Sequence, residues 1–228
     1  LVNRSSLGQL QGLWSTAGLC AKLARHENFG QKTSAKQECP MIRPATPQDA
    51  AHLVAFINMA ADDLPLHFWR QSVGPDGDAM ALGRERAMRE TGSFSYRNAW
   101  LAEVEGEVAA CLLGYPAEDP GEITQDTPPL FVPLLQLESM APGAWYLNVL
   151  ATYPAHRGRG LGSQLIAHAC AHAKAQGHTT ISLIACDTHR DALRLYRARG
   201  FTEIARRAVV KQDWQVDAAE WVLFTKTL

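Results

Sequence analysis

The sequence predicts an α/β protein: a central mixed, mostly antiparallel sheet with one parallel strand–helix–strand crossover, flanked by helices. Three stretches carry that expectation. NAWLAEVEGEVAACLLGY, from Asn98, alternates around Glu105-Gly106 as a β-hairpin does. AWYLNVLAT, from Ala144, reads as a strand; a glycine-rich turn and an apolar-striped helix lead from it to a second buried strand, TTISLIAC. That unit makes a parallel crossover, which should be right-handed. FTEIARRAVV and EWVLFTKTL then close the chain as two further strands.

The remaining elements follow in order. Residues 1–40 are poorly periodic, with Glu27 as their first acid and one weak amphipathic patch from Leu7 to His26. They are expected to be an N-terminal extension, either a leader or an appended non-native segment, with the functional domain spanning 41–228. MIRPATPQDA reads as a short strand and a helix start, where Thr46 can cap and Pro47 fits the first turn. Asp49 to Ser72 carries helical apolar spacing as two helices broken near Asp62–Pro65, and a third follows from Asp78 to Glu90. Residues 116–143 are rich in Pro, Gly and acids and read as a loop with one small helix in LFVPLLQLESM. Gly160 to Gln176 is a helix stopped by Gly177, and HRDALRLYRARG is another, ended by Gly200.

Composition narrows the function classes. A chain of 228 residues with net charge −1 gives no bulk electrostatic reason to bind nucleic acid or an anionic membrane. No apolar run reaches membrane-spanning length. The five cysteines are scattered without CxxC spacing, as expected of idle thiols in a reducing compartment, and a cytoplasmic location is expected. His168 and His172 stand at i, i+4, but no third ligand suggests itself and their face lies away from the apolar stripe, so no metal is expected. Leu64, Leu66, Phe68 and Trp69 read as core more than as an acceptor pocket, and Arg206, Arg207 and Lys211 as a solvated edge.

The chemistry concentrates in HRGRGLGSQLI, from His156, at the carboxyl end of a strand. A strand entering a helix leaves backbone N–H groups without partners, and the helix dipole adds positive potential there. Glycines let the chain curl round an anion, and Arg157 and Arg159 add charged donors. The stretch suits a phosphate or pyrophosphate. No Lys follows the glycines as a P-loop requires, and the G-x-G-x-G spacing of Gly158, Gly160 and Gly162 misses the dinucleotide fingerprint. The pattern [QR]-x-x-G-x-[GA] is met by Arg157, Gly160 and Gly162.

YLNVLATYPAHRGRGLGSQLI thus resembles the acetyl-CoA-binding motif of the GNAT superfamily of N-acetyltransferases. HRDALRLYRARGF is similar to that family's second signature, N-x-x-A-x-x-L-Y-x-x-x-G-F, with Ala192, Leu195, Tyr196, Gly200 and Phe201 on the pattern and His189 in place of Asn. The resemblance spans about residues 41–228 and is strongest over 145–202.

It implies acetyl-CoA as co-substrate, its pyrophosphate on the backbone of Arg157, Gly158, Arg159, Gly160, Leu161 and Gly162. It implies a pantetheine arm paired with Leu150, Ala151 and Thr152 on a strand that bulges and splays from its neighbour, and a cofactor contact at His189. It implies Tyr196 as the general acid that protonates the departing thiolate. The base stays open. Tyr146 and Asn148 can hold a water; Asp187 is a candidate, although helix capping is its commoner role. Asp62 and Asp63 either wall the acceptor site or form a solvated turn.

The expected activity is N-acetyl transfer to a primary amine by direct attack in a ternary complex, with a small-molecule acceptor. A protein N-terminus or lysine is the alternative acceptor, and a non-catalytic acyl-CoA-binding or sensing module of this fold is the alternative class. No nucleic-acid or membrane partner is expected, and a homodimer is compatible with the sequence.

Overall fold

A computed structural model describes residues 40–118 and 123–228. The expected patch from Leu7 to His26 lies outside the described residues. Strand β1 (Met41–Pro44) is followed by a 3-10 turn and three helices, α1 (Ala50–Ala60), α2 (Leu64–Val73) and α3 (Ala79–Met88). The hairpin β2 (Ala99–Val104) and β3 (Glu107–Pro116) precedes α4 (Val132–Glu138). Then come β4 (Trp145–Thr152), α5 (Leu161–Ala175), β5 (Thr180–Cys186), α6 (Arg190–Ala198), β6 (Thr202–Ala208) and β7 (Glu220–Thr227). Among the described residues no helix is long and apolar enough to cross a membrane.

The strands form one seven-stranded sheet in the order β1-β2-β3-β4-β5-β7-β6. Only β4 and β5 are parallel, as the α5 crossover requires. Glu105 and Gly106 both have positive φ, at 56° and 81°, the backbone twist that a two-residue hairpin between right-twisted strands needs.

Alternation along the strands divides the apolar side chains between two faces. Leu112, Leu147, Leu183 and Phe224 pack with Leu165 and Ile166 of α5 and with Leu193 and Tyr196 of α6. Leu101, Cys111, Leu113 and Val149 pack on the opposite face with Leu53, Val54, Phe56 and Ile57 of α1 and Trp69 of α2. A third cluster covers β5 and β7 with Leu137 of α4, Trp214 and Leu64. Trp69 is therefore core, as the sequence predicts.

Arg43 ties the start of α1 to the sheet, donating to both carboxylate oxygens of Asp49 (2.8 and 2.9 Å) and to Glu103 (2.6 Å). Asp49 in turn accepts from the backbone N–H and the hydroxyl of Thr46, each at 2.8 Å, so its side chain reaches back to the N-cap as the third residue of a capping box does. The guanidinium first, then the Thr46 donors, hold the Asp49 carboxyl down at about 2 despite its burial.

His168 and His172 correct the sequence reading. They do not lie away from the apolar side: Trp100 sits 5.4 and 4.5 Å from the two rings and Trp145 sits 6.0 Å from His172. Desolvation lowers the pKa of both, so they pack as neutral rings. Periodicity within the helix could not show two tryptophans arriving from β2 and β4.

Candidate functional site

The site begins with a fault in the sheet. Leu113 pairs with Val149 and Gly114 with Leu147, so Asn148 is an extra residue on β4. A Cβ on Gly114 would lie 2.1 Å from the Trp145 indole, so only glycine allows this close approach beside the bulge. β4 and β5 pair at Trp145 with Ile181 and at Tyr146 with Ser182, then part, although both strands continue for several residues. The wedge between them leaves the β5-facing backbone of Leu150, Ala151 and Thr152 without a strand partner. Bulge and splay both match the expectation.

A cavity of about 710 Å³ opens from that wedge. It is lined by Leu150, Ala151 and Thr152, by Arg157, Gly158, Gly160, Leu161 and Gly162, and across the wedge by His189 and Tyr196. Ten of the eleven residues expected at the site therefore come together. Arg159 does not line the cavity, and its side chain is exposed.

The turn has the form that an anion site needs. Gly158 and Gly160 have φ of 77° and 79°, a left-handed conformation that costs a non-glycine residue about 1–2 kcal/mol. Space is open where a Cβ would stand at either position. Gly162 serves a different end: its Cβ would come within 3.0 Å of Leu195, so it lets α5 approach α6. The first helical bond of α5 runs from Gln164 N–H to Gly160 O at 3.2 Å, which leaves the preceding N–H groups of Leu161, Gly162 and Ser163 free to point at a ligand. Arg157 is braced across the turn by donating to Thr152 O at 3.2 Å. His156 also lines this cavity, and its buried Nδ1 has no hydrogen-bond partner among the described residues. Open space, free donors and positive charge fit a pyrophosphate.

Tyr196 is buried on α6 between Phe201 and Phe224, each 6.0 Å away, and its hydroxyl has no hydrogen-bond partner among the described residues. Burial pushes the phenol up to about 12, so it is a proton donor throughout the neutral range. His189 spends Nε2 on Asp62, 3.0 Å away, and this hydrogen bond lowers the Asp62 carboxyl. That pair joins the α1–α2 turn to the start of α6. Asp62 is thus half-buried and engaged, whereas Asp63 is exposed. Cys186 stands beside the pair, its thiol pushed up mainly by burial. Asp187 does not cap α6; its Oδ1 accepts from Ala219 N–H at 3.0 Å and anchors the approach to β7.

A second cavity, of about 320 Å³, lies on the α2 and α4 side. It shares Ala60, Asn148, Ile184 and Ala185 with the first, so the two meet at the wedge. Phe68 and Phe131 stack over it at 4.5 Å, and Glu138, Tyr115 and Tyr146 reach it from α4, β3 and β4. Tyr115 accepts from Asn148 Nδ2 at 3.1 Å, which ties the bulge to β3. Phe68 is therefore part of a cavity wall; its neighbour Trp69 borders the same cavity but is otherwise buried in the core. Glu138, Phe131 and Tyr115 were not legible as site residues, because no local motif marks them. A lone acid closing the apolar run LFVPLLQLE is the only trace. Arg206 pairs with Glu203 and Glu220 and Arg207 donates to Gln136, as expected of a solvated edge.

Known proteins share this fold. No curated protein sequence matches the chain. Among solved structures it is similar to an N-acetyltransferase from Staphylococcus aureus Mu50, with TM-score 0.60 and 22% identity over 81% of this chain and 99% of that one. It is also similar to the Drosophila melanogaster polyamine N-acetyltransferase, with TM-score 0.58 and 16% identity over 83% and 100%. A GNAT family acetyltransferase from Elizabethkingia anophelis, solved with acetyl-CoA bound, aligns with TM-score 0.50 and 16% identity over 83% and 98%. These likenesses are of fold. The model of the acetyltransferase (GNAT) family matches residues 62–201, which take in the wedge, the glycine turn and α6. The chain belongs to the GNAT acetyltransferase family, with acetyl-CoA as its co-substrate.

Proposed function

We propose that this acetyltransferase transfers an acetyl group to a primary amine on a small molecule, by direct attack within a ternary complex. The observation that carries the reading is the meeting of two cavities at the β4–β5 wedge. One ligand lies along the glycine turn and the other under Phe68 and Phe131, so that their reactive ends adjoin. Bound acetyl-CoA supplies an activated thioester.

The chain's own residues do the rest. N–H groups from Gly158 to Ser163 hold the pyrophosphate, with Arg157 adding charge. The unpaired backbone of Leu150, Ala151 and Thr152 aligns the pantetheine arm as an extra strand and polarises the thioester carbonyl. Tyr196 gives its proton to the leaving thiolate. His189, engaged with Asp62, shapes the wall that Asn forms in the family pattern.

Direct transfer is favoured over an acetyl-enzyme because the described cysteines, all unpaired, do not line the first cavity. Burial also pushes the thiols of Cys111, Cys170 and Cys186 up, away from thiolate. Unpaired thiols suit a reducing compartment, and we place the enzyme in the cytoplasm. A small acceptor is favoured over a protein because the second cavity is walled by rings.

The test is CoA release with a panel of amines and peptides, with initial rates measured against both substrates. Intersecting reciprocal plots are expected for amines. Parallel plots would refute direct transfer, preference for peptides would refute the small acceptor, and acetyl-CoA binding without turnover would leave a sensing module.

A further inference from the structure

The second cavity has a composition that describes its occupant, given the acetyltransferase reading above. Its walls are mainly apolar and aromatic, and Phe68 and Phe131, both partly exposed, lie nearly parallel at an interplanar angle of 18°. Stacked rings at a cavity mouth offer flat apolar surface and negative π-faces, which suit a ring or a cation.

Glu138, at the last residue of α4, is the cavity's one carboxylate among the described residues. Its carboxylate makes no hydrogen bond or ion pair with any described residue, and the residue is only partly exposed. A half-buried carboxylate without a partner carries an unfavourable desolvation cost that an ammonium ion would offset. Arg86 reaches the same cavity from α3. A guanidinium on one side and a carboxylate on the other set the direction of a charged ligand, with its cationic end toward Glu138.

We infer that the acceptor is an arylalkylamine, a primary amine on a short chain carrying an aromatic ring, held by the Phe68–Phe131 wall and by an ion pair between its ammonium group and Glu138. Transfer requires that the ammonium nitrogen lose a proton before it attacks the thioester. Glu138, the one carboxylate lining this cavity among the described residues, receives it directly or through water held by Tyr146 and Asn148. The nitrogen loses a second proton once it has bonded to the acetyl carbon; as the C–S bond breaks, that proton replaces the one Tyr196 gives to the CoA thiolate, so amide and thiol form with one proton left on Glu138. A single carboxylate does not match a polyamine, which brings several ammonium groups. A free aromatic amino acid is the competing occupant, since Arg86 would bind its carboxylate.

The experiment measures CoA release by the full chain with phenethylamine, tryptamine, n-butylamine, spermidine and phenylalanine. Phenethylamine and tryptamine are expected to exceed the others at least about tenfold in kcat/KM, a margin within reach of an apolar pocket. Glu138→Gln is expected to raise the phenethylamine KM about tenfold or more while the acetyl-CoA KM stays within about twofold, and Glu138→Asp to recover part of the loss. Preference for spermidine, n-butylamine or phenylalanine overturns the inference, as does an unchanged phenethylamine KM in Glu138→Gln. The wild-type panel decides even if the variants fail to fold. If another amine is acetylated, only this inference fails; if acetyl-CoA neither binds nor is consumed, the acetyltransferase reading fails with it.

Discussion

Replacing Gly160 with Asp separates the fold of the turn from its use. Gly160 is the N-cap of α5 at φ 79° and ψ 6°, and a side chain there would project into open space. A left-handed conformation costs an L-residue about 1–2 kcal/mol, with Asp at the low end because its short polar side chain tolerates it. A carboxylate at the start of a helix returns about 0.3–1 kcal/mol through the dipole. The free protein should therefore lose about 1 kcal/mol, or about 2–4 °C in melting temperature for a domain of this size. The effect on ligand is far larger. Two like charges about 4 Å apart at an effective dielectric constant of 20 repel by about 4 kcal/mol, near a thousandfold in affinity. At a hundredfold excess over Kd, acetyl-CoA stabilises the wild type by about 2.7 kcal/mol, or about 5–11 °C. In Gly160→Asp that increment should vanish, whereas Gly160→Asn, uncharged and tolerant of the same backbone, should keep most of it. The assay is thermal melting with acetyl-CoA, CoA, NAD and ATP. An undiminished acetyl-CoA shift in the Asp variant, or a shift with NAD or ATP instead, would refute the assignment of this turn to the CoA pyrophosphate.

Further outcomes follow from other residues. Tyr196→Phe should lower kcat about a hundredfold or more with acetyl-CoA affinity unchanged, and a loss under threefold would remove its role as acid. Because burial raises this phenol to about 12, it stays protonated through the neutral range. Its contribution to stability is complete below the ordinary tyrosine value of about 10 and is lost as pH rises through about 12, which alkaline titration of tyrosinate absorbance would follow. Asp49→Asn should cost about 2 kcal/mol in urea denaturation near neutral pH, since the carboxyl is held at about 2 by Arg43 and Thr46. The wild type should lose that increment as pH falls from about 4 to about 2, and the variant should show no such loss. Gly114→Ala should cost about 1–3 kcal/mol, because its Cβ would overlap the buried Trp145 ring; an unchanged midpoint would contradict that packing.

What the residues determine by themselves is whatever depends on near neighbours. The hairpin at Glu105-Gly106, the break after Ala60 and the start of α5 are local matters of backbone preference, and all stand where the periodicity places them. The glycine turn belongs with them: left-handed glycines followed at once by a helix create free N–H donors within a few residues. So does the helical spacing that brings Tyr196 and Leu195 to the cavity beside His189. Other features have no local cause. His168 and His172 read as outward-facing until Trp100 and Trp145 arrive from distant strands. Asp187 reads as a helix cap until Ala219 N–H claims it across the sheet. Glu138 reads as the end of a small loop helix, and only the packing of α4 beside α2 and over β5 and β7 turns it toward Phe68, Tyr115 and Tyr146. The proposed pyrophosphate turn is legible because a strand–turn–helix builds it from one continuous segment, although His189 and Tyr196 join the cavity from α6. The proposed acceptor side is decided by tertiary structure, because its walls are brought from α2, α3, β3, α4 and β4, and their meeting depends on how an entire sheet bulges and splays.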